Sequence, residues 1–124
     1  MTPDDRKYTK THEWIKIEGD VAVVGITDHA QQALGDMTFI DPGSCGKVVK
    51  QGDECAVIES VKAASEIYAP VDGVIAETNN ALESAPELVN TDPYGAGWIL
   101  KLKEVALSQL DGLLDAAAYD AVTG

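Results

Sequence analysis

The shortness of the apolar runs, and the regular turn residues between them, limit most severely what this chain can fold into. Trp14-Ile15-Lys16-Ile17-Glu18 is followed by Gly19-Asp20 and then by Val21-Ala22-Val23-Val24-Gly25-Ile26. Two β-prone runs separated by turn residues predict a hairpin. Further short runs over 37–40, 47–50, 55–61 and 66–69 are punctuated by Asp41-Pro42-Gly43, Gln51-Gly52-Asp53 and Pro70-Val71-Asp72-Gly73, and runs over 74–78 and 98–102 follow. Strands this short and this closely spaced imply a mainly β chain, a sandwich or a barrel.

Helical signals are few. Thr27 is placed to cap a short helix over 28–34, and Gly35 supplies the left-handed residue that ends it. Residues 79–89 read as a broken helical turn with Pro86 at a first-turn position. Leu107, Leu110, Leu113, Leu114, Ala117 and Ala118 follow helical spacing, with Ser108 as N-cap and Asp111 three residues on. They predict a C-terminal amphipathic helix over about 108–120 that packs back on the sheet as a buttress. A weak echo between 21–30 and 73–81, each a strand followed by a short helix, suggests two related halves packed as two small sheets.

The 124 residues suit a single domain over 1–124. No apolar run approaches the ~20 residues that a membrane-spanning helix needs. A formal net charge of -12 disfavours nucleic acid and anionic lipid as partners, because few cations are available to neutralise phosphates. The first ten residues have no apolar core of a leader, and their mixed charges do not resemble a transit peptide, so a cytoplasmic protein is expected. Cys45 and Cys55 form no C-x-x-C pair and read as two free thiols. No grouping of residues has metal-ligand spacing, and neither His12 with Glu13 nor Asp28 with His29 has the company that an enzyme's acid-base or metal site requires.

The stretch Val57-Ile58-Glu59-Ser60-Val61-Lys62-Ala63-Ala64-Ser65-Glu66-Ile67-Tyr68 carries the chemistry. Apolar β runs flank a centre of small residues, which puts Lys62 at or beside a tight hairpin turn and projects it into solvent. Ser60, Ala63, Ala64 and Ser65 leave its ammonium unobstructed. A primary amine on a long, flexible stem suits amide formation with a carboxylic acid. A turn lysine is also, in general, a plain solvated charge.

The wider sequence separates these readings. Glu59-Ser-Val-Lys62-Ala, with Gly46 upstream, Glu66 after it and Ala69-Pro-Val-Asp-Gly73-Val downstream, resembles the lipoylation site of the glycine cleavage H-protein family. Thr11-His12-Glu13-Trp14, Val24-Gly-Ile-Thr-Asp-His-Ala-Gln31, Leu34-Gly35-Asp36, Pro86-Glu-Leu-Val-Asn90 and Pro93-Tyr-Gly-Ala-Gly-Trp98 look like other segments of that family, in order. Together they span roughly residues 7 to 119.

The resemblance implies a barrel-sandwich hybrid of two small antiparallel sheets with short helices, and lipoate in amide linkage to Lys62. It implies a non-catalytic carrier that takes an aminomethyl group from glycine decarboxylase to the tetrahydrofolate-dependent aminomethyltransferase and passes electrons to dihydrolipoamide dehydrogenase. Gly46, Glu59, Glu66 and Gly73 match positions read by the lipoate ligase or lipoyltransferase, although both glycines equally suit plain turns. Thr11, Glu13 and Ile26, with Glu66, fall where the family folds its loaded arm into a cleft. Asp41-Pro42-Gly43-Ser44-Cys45-Gly46 departs from the family's usual acidic residue and Leu-Pro pair, so a differently shaped loop is expected there. A lipoate relay protein that donates lipoyl groups to other enzymes would look nearly identical. A lipoyl domain of a 2-oxoacid dehydrogenase shares the arm chemistry but is typically shorter and tethered by a Pro/Ala-rich linker. Biotin carriers expect methionines where Val61 and Ala63 stand.

Overall fold

Gly19 adopts φ 65° and so lets the chain reverse in two residues, bringing Glu18 opposite Val21. The expected first hairpin forms around this turn. In the computed structural model, which describes residues 2–123, the chain begins with β1 (Lys7–Tyr8), β2 (Glu13–Glu18), β3 (Val21–Ile26) and α1 (Asp28–Leu34). It continues through β4 (Met37–Asp41), β5 (Val48–Val49), β6 (Glu54–Ser60), β7 (Ala64–Tyr68) and β8 (Gly73–Thr78). Two one-turn helices, α2 (Ala81–Ser84) and α3 (Leu88–Thr91), precede β9 (Leu100–Lys103), a 3₁₀ turn (Leu107–Gly112) and α4 (Ala116–Thr123).

The strands form two sheets in which every neighbouring pair is antiparallel. One has six strands in the order β1-β2-β3-β9-β8-β5, and the other has three, β4-β6-β7. Alternation along the strands decides what each face buries. Ile15, Val24, Ile75, Leu100 and Leu102 of the larger sheet join Ile58 and Ile67 of the smaller one in a common core. Each contributes roughly 1.5–3 kcal/mol by leaving water. A second cluster, Tyr8, Trp14, Val23 and Tyr119, covers the opposite face of β2 and β3. Among the described residues no helix is long and apolar enough to cross a membrane.

The capping signals hold: Thr27 Oγ1 accepts from the Ala30 amide at 3.2 Å, and Gly35 closes α1 at φ 81°. The C-terminal expectation needs correction. In place of one helix over 108–120 capped by Ser108, a 3₁₀ turn begins after Ala106, and α4 starts only at Ala116. Leu113 between them is extended, and Leu114 exchanges two backbone hydrogen bonds with Tyr8, at 2.7 and 2.8 Å. This capture by β1 is incompatible with a continuous helix. Residues 79–89 likewise divide into α2 and the start of α3, with Pro86 between them. The two echoing strands, β3 and β8, lie in the same sheet on either side of β9 and not one in each sheet.

Candidate functional site

β6 and β7 pair through Glu59 and Ala64, which leaves Val61, Lys62 and Ala63 as an exposed tip. Ser60 organises this tip by itself. Its amide donates to the Ala63 carbonyl at 2.8 Å, and its Oγ accepts from the Lys62 and Ala63 amides at 3.2 Å each. Among the described residues the tip has one further hydrogen bond: the Val61 amide donates to the Asp36 carbonyl at 3.0 Å. Asp36 belongs to a short strap, Gly35 to Met37, that links α1 to β4, and the stem of Lys62 runs beside it, with Cε and Cδ 3.5 and 3.8 Å from where a Cβ on Gly35 would stand. The ammonium continues outward and, among the described residues, forms no ion pair or hydrogen bond. The small residues Ala63 and Ala64 beside it are exposed. An amine so placed is open to an acylating enzyme, and the residues present fit a covalently attached lipoyl group.

Glu59 and Glu66 are both exposed and flank the tip, on the face of β6 and β7 opposite Ile58 and Ile67. Gly46 and Gly73 are elsewhere. Gly46, at φ 88°, donates its amide to the Ile75 carbonyl of β8, and Gly73 pairs with Val49 of β5. A Cβ on Gly73 would stand 3.1 Å from the Lys103 carbonyl oxygen, so close strand approach explains that glycine without any recognition role. The structure therefore joins Glu59, Lys62 and Glu66 on one hairpin and groups the two glycines at the β5–β8 edge of the other sheet.

Of the four residues expected at the cleft, Thr11, Glu13 and Ile26 come together, and Glu66 lies along β7. Glu13 and Ile26 face each other across the β2–β3 ladder, and Thr11 reaches the Glu13 carboxylate. They differ in access: Thr11 is exposed, whereas Ile26 is 4% exposed and belongs to the core. Glu13 is 2% exposed, which excludes its being an ordinary surface acid. Its Oε1 accepts from the Thr9 and Thr11 hydroxyls at 2.5 Å each, and its Oε2 accepts from the Tyr68 amide at 3.3 Å. Burial raises its pKa, and these hydrogen bonds oppose the rise. The carboxylate ties the loop before β2 to the end of β7.

Glu13 lies at the floor of a pocket of about 280 Å³ that Thr9, Thr11, Tyr68, Pro70 and Leu113 help to line. Along the outer face of β7, Ala64, Glu66 and Tyr68 alternate with inward residues and lead from the tip to this pocket. Tyr68 and Thr9 have no place among the residues expected for the site. The available signal is the two-residue spacing of Thr9, Thr11 and Glu13. Nothing local marks Tyr68, which contributes through its backbone.

His12 and Glu13 diverge, with His12 in the turn just before β2. His12 takes a left-handed φ of 73°, and its Nδ1 pairs with the Tyr119 hydroxyl at 2.7 Å. Its ring packs 4.7 Å from that of His29, and burial with this neighbour lowers its pKa. Tyr119 also meets the Thr27 hydroxyl at 2.7 Å, so this cluster docks α4. Cys45 is exposed and Cys55 is buried, and both are free thiols; burial pushes the Cys55 thiol up to about 12.

A family profile described as "Glycine cleavage H-protein" matches residues 6–124. The chain belongs to the glycine cleavage H-protein family. A glycine cleavage system H protein of Thermus thermophilus is 58% identical over 120 residues, covering 97% of this chain and 94% of that one. That of Halorhodospira halophila is 54% identical, covering 96% and 92%. The crystal structure of a glycine cleavage system H protein from Mycobacterium marinum superposes with a TM-score of 0.88 at 40% identity, covering 98% of each chain. H proteins are non-catalytic carriers with covalently attached lipoate, and the chain is such a carrier of the glycine cleavage system. The mainly β fold, with its two antiparallel sheets and C-terminal helix, is the H-protein fold.

Proposed function

We propose that Lys62 is the lipoyl attachment point, and that the lipoylated chain serves glycine decarboxylase, the tetrahydrofolate-dependent aminomethyltransferase and dihydrolipoamide dehydrogenase in turn. The observation that carries this reading is the free Lys62 ammonium on an exposed tip ordered by Ser60 and braced on Gly35. When bound, lipoate supplies a dithiolane able to carry a one-carbon amine unit and two electrons. This chain's part is to present, recognise and shelter. Glu59 and Glu66 give the attaching ligase or lipoyltransferase an acidic frame around the amine, with Gly46 and Gly73 shaping the β5–β8 edge of the other sheet. Thr11, Glu13 and Ile26, together with Tyr68, build the end of the molecule towards which the outer face of β7 leads. Because the Glu13 oxygens already accept three hydrogen bonds, Glu66 is the acid left to meet a cationic amine. The reading includes a single domain and a cytoplasmic setting, in keeping with the two free thiols.

Intact-mass and peptide analysis after incubation with lipoate, ATP and a lipoate ligase is expected to show one adduct, on Lys62. Lys62→Arg keeps the charge and the fold but accepts none. An adduct on another lysine, or full modification of the Lys62→Arg chain, would overturn the assignment. Glycine-dependent exchange of CO2 by the lipoylated chain with the decarboxylase separates a cleavage-system carrier from a lipoate relay, which would support none.

A further inference from the structure

We propose that Asn90 is the positioning residue for the lysine-bearing tip, through a clamp that fixes the strap under Lys62. The inference rests on Lys62 being the attachment point and concerns what holds it in place. Asn90 lies in α3, far along the chain from the hairpin, yet its carboxamide grips both ends of the strap. Its Oδ1 accepts from the Met37 amide at 2.9 Å, and its Nδ2 donates to the Gly35 carbonyl at 2.9 Å. The second Nδ2 proton goes to Gln31 Oε1 at 3.0 Å, which ties the clamp to α1.

Asp36 is thus held between two clamped residues, and its carbonyl is the acceptor for the Val61 amide. Among the described residues, that is the only hydrogen bond from the tip, 61–63, to anything beyond Ser60. The stem of Lys62 passes beside Gly35, with Cε 3.5 Å from where a Cβ on that residue would stand. One side chain therefore sets the platform on which the lysine stands. The geometry needs an amide: Met37 requires an acceptor, and the Gly35 carbonyl and Gln31 Oε1 require donors. A carboxylate at position 90 would satisfy the first and face two oxygens with no proton to offer.

Asn79 provides a matched comparison. It is 7% exposed, and its Nδ2 donates to the Ala96 and Trp98 carbonyls at 2.9 and 2.7 Å, with no hydrogen bond to the strap among the described residues. Asn90→Asp and Asn79→Asp each oppose a carboxylate to two oxygen acceptors, so both lower Tm. Only Asn90→Asp should free the tip. Measured by NMR, hydrogen exchange of the Val61 amide should speed about tenfold or more in Asn90→Asp relative to Asn79→Asp, while amides of β2 and β3 change alike in both. KM of the apo chain for a lipoate ligase should rise about tenfold with kcat unchanged, because a tip ordered one-tenth of the time binds about tenfold more weakly.

Should Asn90→Asp fail to fold, the unsubstituted chain still decides. The Met37 and Val61 amides should then exchange through one opening, with the same denaturant dependence. Val61 exchange equal in the two variants, or separate openings for Met37 and Val61, would overturn the clamp. If the unsubstituted chain takes up no lipoate at Lys62, the attachment reading falls, and the exchange measurements still decide the clamp.

Discussion

Replacing Glu13 by glutamine tests whether the acid beneath the pocket is a buried structural tie. The substitution keeps the shape, and Gln Oε1 can still accept from the Thr9 and Thr11 hydroxyls. The amide nitrogen, however, faces the Tyr68 N–H where Oε2 accepted it, which costs about 0.5–1.5 kcal/mol for one lost hydrogen bond. Against this, the change removes a charge whose desolvation outweighs its hydrogen bonds, as the raised pKa of Glu13 records. At pH 8 the two effects leave Glu13→Gln within about 1 kcal/mol of the unsubstituted chain. Acidification separates them. The folded carboxylate has the higher pKa, so the folded state takes up its proton first. Between that raised value and the ordinary value of 4.5, the contribution of Glu13 to native stability therefore rises as pH falls. The slope reaches at most about 1.4 kcal/mol per pH unit for one proton and ends below the unfolded-state value. Glu13→Gln has no such proton. His12, whose pKa is lowered, loses stability on acidification, but it does so in both chains and cancels in the difference. Urea midpoints from pH 8 to pH 4 should show the unsubstituted chain gaining on Glu13→Gln towards acid. Parallel curves, or a difference of the opposite sign, would refute the burial argument.

Two further outcomes follow from the packing and from the hairpin. A Cβ on Gly25 would stand 2.7 Å from the Trp14 indole, which is 1% exposed and held by Pro93 and by Arg6 4.6 Å from its ring. Gly25→Ala should therefore cost about 1–3 kcal/mol of overpacking strain. Calorimetry would show this as a lowered Tm, with a shift in Trp14 fluorescence, and an unchanged Tm would mean that the indole moves freely. Glu59→Gln with Glu66→Gln alters two exposed acids, so stability should stay within about 0.5 kcal/mol while KM for lipoate ligase rises several-fold. An unchanged KM would remove both from recognition.

Where local chemistry decides structure, the chain could be read directly. Gly19 forces its turn, Thr27 and Gly35 bound α1, and the small residues around Lys62 mark a hairpin tip. The C-terminal segment misleads because Leu110, Leu113 and Leu114 satisfy helical spacing while the winning interaction, Leu114 with Tyr8, lies more than a hundred positions away. Local chemistry put the lysine at a hairpin tip, and the wider resemblance to the family set it apart from a plain turn lysine. Its supports were not legible, since Asn90 reaches Gly35 and Met37 only after folding, and the Tyr68 contribution is a backbone amide that no side chain advertises. Glu13 could be placed near a site, but its burial beneath two threonines depends on a loop that turns at His12, at a left-handed φ of 73°.

The strand order also has a kinetic consequence. Every pairing of the smaller sheet falls within residues 37–68, whereas β3 meets β9 across about eighty positions, with Ala22 opposite Leu102. Closing so long a loop is entropically expensive and slow, while hairpin contacts form early. During synthesis the lysine hairpin has all its strand partners long before β9 emerges to complete the larger sheet. The hairpin that displays the amine can therefore pair its strands before the chain is finished, while the platform under its tip waits for Asn90, and the last strand to arrive is the one that joins the two halves of the six-stranded sheet.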